Sequence, residues 1–430
     1  MSAFIDFARR VPARTRRILA GSLAALTVAA SLAAANEPIP LTLDEAVRLA
    51  EHEAPILDAR RAALSAARNA VRPAGQLPDP VLVAGIDNLP VTRGDAFSLT
   101  DDFMTMRKVG VMQEFPRREK RRLRTERAEA DAARENARLI NQRLDVDEAT
   151  AQAWIARMSA ERRLALLQAL QPRTDMQIAA VTALLGASRA SAADGIAAHA
   201  QKAMLHDRIS EAERELADAL ADFARWLPDA VDRPLGAAPD WLDLGVEPDA
   251  LLEMATHHRE LLVYAASEQA ANADVALARA EKHPDWSVEF DYAQRGPRYS
   301  NMISFDVRVP LPLFARNRQD ATIAAKEATV VQIEAEREDA LRMHKAELRK
   351  NLAAWHSAGE RVHRYEGELL PLADDRAAAA LAAYRGGSGN LQASLGALDN
   401  VIEQRIAYTE LLRTLASAWA TLHFAYPKEH

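Results

Sequence analysis

The sequence predicts a mainly α-helical fold with a small β part, in which one unit of helix, two strands, long helix and return helix occurs twice. Three observations predict it. The 430 residues include only 16 glycines and 20 prolines, and alanine dominates a hydrophobic fraction of 49%, the composition of long helices rather than of a sandwich. The stretches 116–185 and 312–385 each carry one continuous polar-and-alanine pattern and would span roughly 100 Å as helix. Short motifs also recur in the same order at nearly constant offsets.

The first 35 residues read as an export signal. Arg9, Arg10, Arg14, Arg16 and Arg17 precede an apolar run from Ile18 to Leu32, followed by Ala33, Ala34 and Ala35. Basic, apolar and small-residue zones in that order define a secretory signal with cleavage after Ala35. The run falls short of the ~20 residues a bilayer-spanning helix needs. Arg16-Arg17 leaves general secretory and twin-arginine export both open. Without those five arginines and Asp6, 54 basic and 61 acidic residues become 49 and 60, a net charge of −11. An acidic exported chain disfavours nucleic-acid binding. The absence of cysteine excludes a disulfide framework, thiolate metal sites, a cysteine nucleophile and a lipidated N-terminal cysteine.

The two repeats are expected at 36–247 and 248–430. Leu77-Pro78-Asp79-Pro80 matches His283-Pro284-Asp285-Trp286 at an offset of 206, and Glu114-Phe115-Pro116 matches Arg308-Val309-Pro310 at an offset of 194. Pro172 matches Pro371, and Gly186-Ala187-Ser188 matches Gly386-Gly387-Ser388. Strands are expected at about 81–88, 106–115, 286–294 and 301–310. In the second pair, Trp286, Val288, Phe290 and Tyr292 alternate with Ser287, Glu289 and Asp291, and Ile303, Phe305 and Val307 alternate with Ser304, Asp306 and Arg308. Strict alternation means one greasy and one wet face. The first pair alternates less cleanly. In an exported chain, strands of this length suit a tilted membrane crossing. Four of them cannot close a barrel, and open edges in lipid leave backbone groups unsatisfied. Assembly is therefore required, and a trimer supplies twelve strands.

In the long helices Leu123, Ala130, Ala137, Leu144, Ala151 and Met158 recur every seventh residue, as do Leu341, Leu348, Trp355, Val362 and Leu369. A seven-residue repeat marks a seam packed on a neighbouring helix. Return helices are expected at 191–226 and 391–426, with a proline-rich break at 228–247. Return helices stacked on the shorter helices 249–282 and 43–72 match the long helices in length.

Chemistry-bearing clusters are few. Met104, Met106 and Met112 offer soft thioethers that suit a transient Cu(I) contact, or are apolar filling. His199 and His206, and likewise His356 and His363, stand about 10.5 Å apart along a helix axis, too far to share an ion. His257-His258 diverge. The basic run Arg117, Arg118, Lys120, Arg121, Arg122 and Arg124 suits either anionic headgroups or a solvated first turn. Gly386-Gly387-Ser388-Gly389 lacks the Lys-Ser/Thr of a phosphate loop. With no catalytic motif, neither an enzyme nor a cofactor is expected.

Taken together, the order of elements, Gln113-Glu114-Phe115-Pro116 with Lys120-Arg121, and Val309-Pro310-Leu311-Pro312-Leu313-Phe314 resemble the TolC family of outer-membrane efflux channels. Pro78-Asp79-Pro80 and Asp87-Asn88-Leu89-Pro90 resemble its heavy-metal branch. The resemblance implies a homotrimer with a twelve-stranded barrel in the outer membrane of a Gram-negative bacterium and a helical tunnel in the periplasm. It implies a periplasmic adaptor and an inner-membrane resistance-nodulation-division pump as partners, and heavy-metal cations as cargo. Ser287, Glu289, Asp291, Ser304, Asp306 and Arg308 would line the lumen. Gly186, Gly386 and Gly387 would mark the periplasmic tip. The family's acidic gate positions fall here on Ala393 and Gly396, so Asp194 and Asp399 are the nearest acidic candidates. A multidrug or type I secretion channel of the same fold is the alternative, and a periplasmic helical-hairpin adaptor the alternative of another class.

Overall fold

A computed structural model describes residues 40–188 and 190–426; the expected export signal lies outside them. The first repeat comprises α1 (Leu43–Glu53), α2 (Pro55–Ala74), β1 (Val81–Asp87), β2 (Met106–Phe115), α3 (Arg118–Gly186) and α4 (Ala192–Ala224). The second comprises α5 (Pro248–Glu253), α6 (Arg259–Ala280), β3 (Trp286–Gln294), β4 (Met302–Arg308), α7 (Gln319–Arg364), α8 (Leu370–Arg385) and α9 (Leu391–His423). Pro55 at the first position of α2 separates α1 from α2, so the expected helix at 43–72 is two helices. A proline starts a helix without loss because its missing N–H would be unpaired there anyway.

The strands form one antiparallel sheet in the order β1-β2-β3-β4. The β2–β3 pair joins the repeats, with Phe115 opposite Trp286 and their rings stacked 4.5 Å apart. β1 and β4 are left as open edges.

The α3 helix runs 69 residues. Leu123, Ala137, Leu144, Ala151 and Met158 of its seven-residue seam are buried. Lower down, a second seam of the same spacing takes over: Val146, Ala153, Ala160, Leu167, Thr174 and Val181, all buried. Val146 stands two residues beyond Leu144, about 200° round the helix, so through the middle of α3 opposite sides are buried at once.

The second long helix corrects the sequence reading. It begins at Gln319 rather than Pro312, because a short turn at Ala315–Asn317 and the non-helical backbone of Arg318 (φ −124°, ψ −81°) stand before it. It is also broken by one π-helical turn, Tyr365–Leu369. The extra residue in that turn rotates the seam, leaving Leu369 exposed and burying Ala373 instead.

The largest core lies mid-length, where the break at 228–247 wraps the helices. Trp241 packs between Trp154 and Trp419, with ring centres 6.4 and 5.1 Å away. Three indole N–H groups tie loop carbonyls to the helices: Trp154 to Leu41 at 3.1 Å, Trp355 to Trp241 at 2.8 Å and Trp419 to Asp243 at 2.7 Å. Each satisfies a donor that would otherwise be costly to bury.

Candidate functional site

The sheet is turned inside out relative to a soluble protein. Register places Leu82, Ala84, Ile86, Val109, Val111, Val288, Phe290, Tyr292, Ile303, Phe305 and Val307 on one face. Leu82 is 72% exposed and Phe305 68%. The opposite face carries Glu289 and Asp291, only 3% and 4% exposed. Burying carboxylates while leaving large apolar side chains bare is unfavourable in water. It is the arrangement of a barrel wall with lipid outside and a wet lumen inside. β4 is exposed along its whole length.

All six expected lumen residues share that inward face: Ser287 opposite Arg308, Glu289 opposite Asp306, and Asp291 opposite Ser304. Arg308 pairs with Glu289, and Lys108 lies 3.5 Å from Asp87. Gly110 faces Asp291, and a Cβ there would fall 1.9 Å from the carboxylate oxygen, so glycine makes room for the acid. The face holds five carboxylates (Asp87, Glu114, Glu289, Asp291, Asp306) against Lys108 and Arg308, which favours cations near it modestly.

The structure does not gather the three methionines. Met106 and Met112 point inward but stand six residues apart on β2, about 20 Å, and Met104 is exposed in the preceding loop. No cluster of metal-binding side chains occurs among the described residues.

The basic run is divided between roles. Lys120 is buried and bonds Asp285 at 2.8 Å, while the Arg117 N–H donates to the same carboxylate at 3.1 Å. Burial pushes the Asp285 pKa up, but the Lys120 and Arg117 hydrogen bonds and the charges of Lys120 and Arg124 outweigh it and hold it low. Arg122 pairs with Glu126 on the helix surface. Asp285 thus pins the foot of β3 to the foot of α3, a link between repeats that no local pattern announces.

At the far end the α3–α4 and α8–α9 hairpins meet in a small core of Val181, Ala198, Tyr384, Leu391 and Leu395. Gly387 has φ +80°, a left-handed turn that favours glycine. Gly186 ends α3 and Gly386 has φ −77°, so neither needs to be glycine for its backbone. Asp194 closes a capping box: its N–H donates to Ser191 Oγ at 3.2 Å and its carboxylate accepts from the Ser191 N–H at 2.8 Å. Those bonds from Ser191 hold its pKa below the usual carboxylate range. Asp399 accepts from Gln201 at 3.2 Å and Arg208 at 2.9 Å, tying α9 to α4. Both acids are engaged within one chain.

Sequence reasoning missed a histidine pair. His258 stacks on buried His344 at 3.8 Å, and His344 Nε2 lies 2.9 Å from Glu260. Burial, then the His344 and Arg259 charges, lower the His258 pKa to about 3. The rings come from positions 86 apart, so no spacing rule would find them.

Long paired helices under a sheet with a polar inner and an apolar outer face define the protomer fold of outer-membrane channels. Residues 251–426 match the family described as outer membrane efflux protein. Among curated proteins none matches. A membrane protein from Pseudomonas aeruginosa is similar in structure, with TM-score 0.75 and 19% identity over 89% of this chain and 93% of that one. CusC, whose structures concern transmembrane channel formation, gives 0.74 and 15% over 91% and 93%. The outer membrane protein VceC from Vibrio cholerae gives 0.73 and 17% over 89% and 95%.

Proposed function

We propose that three copies of this chain form an outer-membrane exit duct that passively conducts heavy-metal cations handed over by a periplasmic adaptor and an inner-membrane pump. The observation that carries the reading is the inverted sheet with two open edges. Adjacent strands alternate in direction, so β4 of one copy runs opposite to β1 of the next, and three four-stranded sheets close into twelve. The apolar face then meets lipid, Ser287, Glu289, Asp291, Ser304, Asp306 and Arg308 meet water, and no edge is left unpaired. The hairpin tips hang in the periplasm, where they would meet the adaptor. Metal cargo is supported by the junction motifs that resemble the heavy-metal branch and by the carboxylate excess on the inner face; selection is assigned to the pump upstream.

The test is gene deletion with tolerance profiling, alongside detergent extraction. The expected outcome is a heat-modifiable trimer in outer-membrane fractions and several-fold lower tolerance of at least one of copper, silver, zinc, cobalt and cadmium. Sensitivity to antibiotics alone would transfer the cargo to drugs. A water-soluble monomer would overturn the duct.

A further inference from the structure

We infer that the proline-rich segment after β4 is a lipid site: Leu311, Leu313 and Phe314 enter the acyl layer of the periplasmic leaflet, and Arg118, Arg316 and Arg318 hold the phosphates of anionic glycerophospholipids beside it. The inference rests on the membrane duct proposed above and adds a ligand to its lower rim.

The strand before this segment is too short to cross the apolar layer alone. The outward face of the sheet has a polar upper margin, where Arg107 stands opposite Gln294 and Asn301 donates to the Tyr292 hydroxyl at 2.7 Å. Below that margin the outward residues of β4 are Ile303, Phe305 and Val307, and Val309 continues the row. From Asn301 to Val309 the chain descends eight residues, which at ~3.4 Å per residue and a tilt of ~35–45° cover about 19–22 Å. The apolar band of a membrane barrel is ~25 Å tall. Two further residues, to Leu311, bring the height to about 24–28 Å.

Leu311, Leu313 and Phe314 are each at least 71% exposed. Edge pairing between copies uses backbone groups in the plane of the sheet, so it leaves the outward face bare. Unpaired backbone is costly in lipid, and this segment brings little of it. Pro310 and Pro312 have no N–H, and the Leu313 N–H donates to the Leu311 carbonyl at 2.9 Å.

Directly beyond, the chain turns basic. Arg316 and Arg318 precede α7, and Arg118 opens α3 at the matching point of the first repeat. Other cations there already have acids: Lys120 has Asp285, Arg122 has Glu126 and Lys282 has Asp320. Arg118, Arg316 and Arg318 are exposed and pair with no acid among the described residues. Arg118 and Arg318 also sit at helix N-termini, where the dipole disfavours positive charge. A phosphodiester accepts from the planar guanidinium fork and offsets that cost. The greasy segment alongside makes a lipid headgroup, not a soluble anion, the fitting partner.

The test reconstitutes the full-length protein into phosphatidylcholine vesicles doped with spin-labelled phosphatidylglycerol or spin-labelled phosphatidylcholine. The motionally restricted fraction reports which lipid lies against the protein. One arginine at an anionic surface confers about a five-fold preference, diluted by lipids elsewhere on the wall. The expected result is at least two-fold enrichment of phosphatidylglycerol, falling to parity in Arg118→Gln/Arg316→Gln/Arg318→Gln and unmoved by millimolar inorganic phosphate. No enrichment, an unchanged enrichment in the triple variant, or its loss to phosphate overturns the headgroup site. Because the chain has no cysteine, spin labels on Leu311→Cys and Phe314→Cys report depth without background. Oxygen should relax both labels at least three-fold more than a water-soluble nickel chelate does. Stronger relaxation by nickel, or shielding from both reagents by a neighbouring copy, overturns the acyl contact. Protein that never enters the vesicles sinks the duct itself, which is a separate failure.

Discussion

Pro172 and Pro371 occupy matching points of the two repeats, yet the helices around them differ. α3 passes Pro172 as unbroken α-helix. The second repeat opens into the π turn just before Pro371, where the Leu370 N–H bonds Tyr365 rather than the residue four back. A proline ring collides with the carbonyl four residues earlier, Gln168 in one case and Gly367 in the other. Around Pro172, Leu167, Leu170 and Thr174 are buried against α4 and α9. Around Pro371, Glu366, Gly367 and Glu368 are exposed. A helix clamped on several sides keeps its form and carries the conflict, whereas one bare on a side relieves it by widening a turn.

The sharpest test of that contrast is to remove each proline. Pro172→Ala restores an amide donor and removes the collision, so it is expected to stabilise the protein by up to about 3 kcal/mol. Pro371→Ala, where the turn has already yielded, is expected to change stability by less than about 1 kcal/mol. Guanidinium unfolding midpoints of the solubilised protein measure both. Equal gains would break the comparison.

A second contrast concerns histidines. By the offset of 206, His258 of the second repeat matches His52 of the first, which is exposed, whereas His258 is stacked on His344. Its folded pKa of about 3 lies below the ordinary 6.5, so the unfolded chain takes up the proton first. The stability that the neutral ring contributes is present above pH 6.5 and declines as pH falls from there toward 3. Between pH 7 and pH 5 the loss is about 1 kcal/mol once discounted for the ring's partial exposure. His258→Phe, which keeps the stack, should flatten that part of the pH–stability curve, and His52→Phe should leave it unchanged.

Much of the architecture was legible in the sequence because it rests on periodicity. Alternation in 286–294 and 302–308 marks two-faced strands, and the seven-residue seam through Leu123, Leu144 and Met158 marks a packed long helix. The left-handed turn at Gly387 follows from its residue type. What was hidden depends on partners distant in sequence. The π turn arises from exposure at Glu366–Glu368, which no local pattern encodes, and Leu369 continued the seven-residue spacing while the helix beneath it had rotated. Asp285 meets Lys120, and His258 meets His344, only once the repeats are laid side by side. The three methionines looked clustered because sequence proximity hides the length of an extended strand.

The finest distinction between the repeats is a latch over the π turn. The Tyr408 hydroxyl on α9 donates to Glu366 inside that turn, and its ring stacks on Tyr365 at 6.2 Å. Burial first, then the Glu366 hydrogen bond and charge, push the phenol pKa well above its ordinary value, so the hydroxyl stays a donor at any physiological pH. Tyr408→Phe removes that donor while keeping the ring. Glu366 is exposed and regains water, so the expected loss is about 1 kcal/mol, felt locally. Amide hydrogen exchange at 365–371 should quicken about five-fold, while the matching segment 166–172 of α3, which has no such turn to hold, stays unchanged. Equal quickening in both segments would mean the tyrosine supports the whole bundle, and no change in either would mean the widened turn needs no latch.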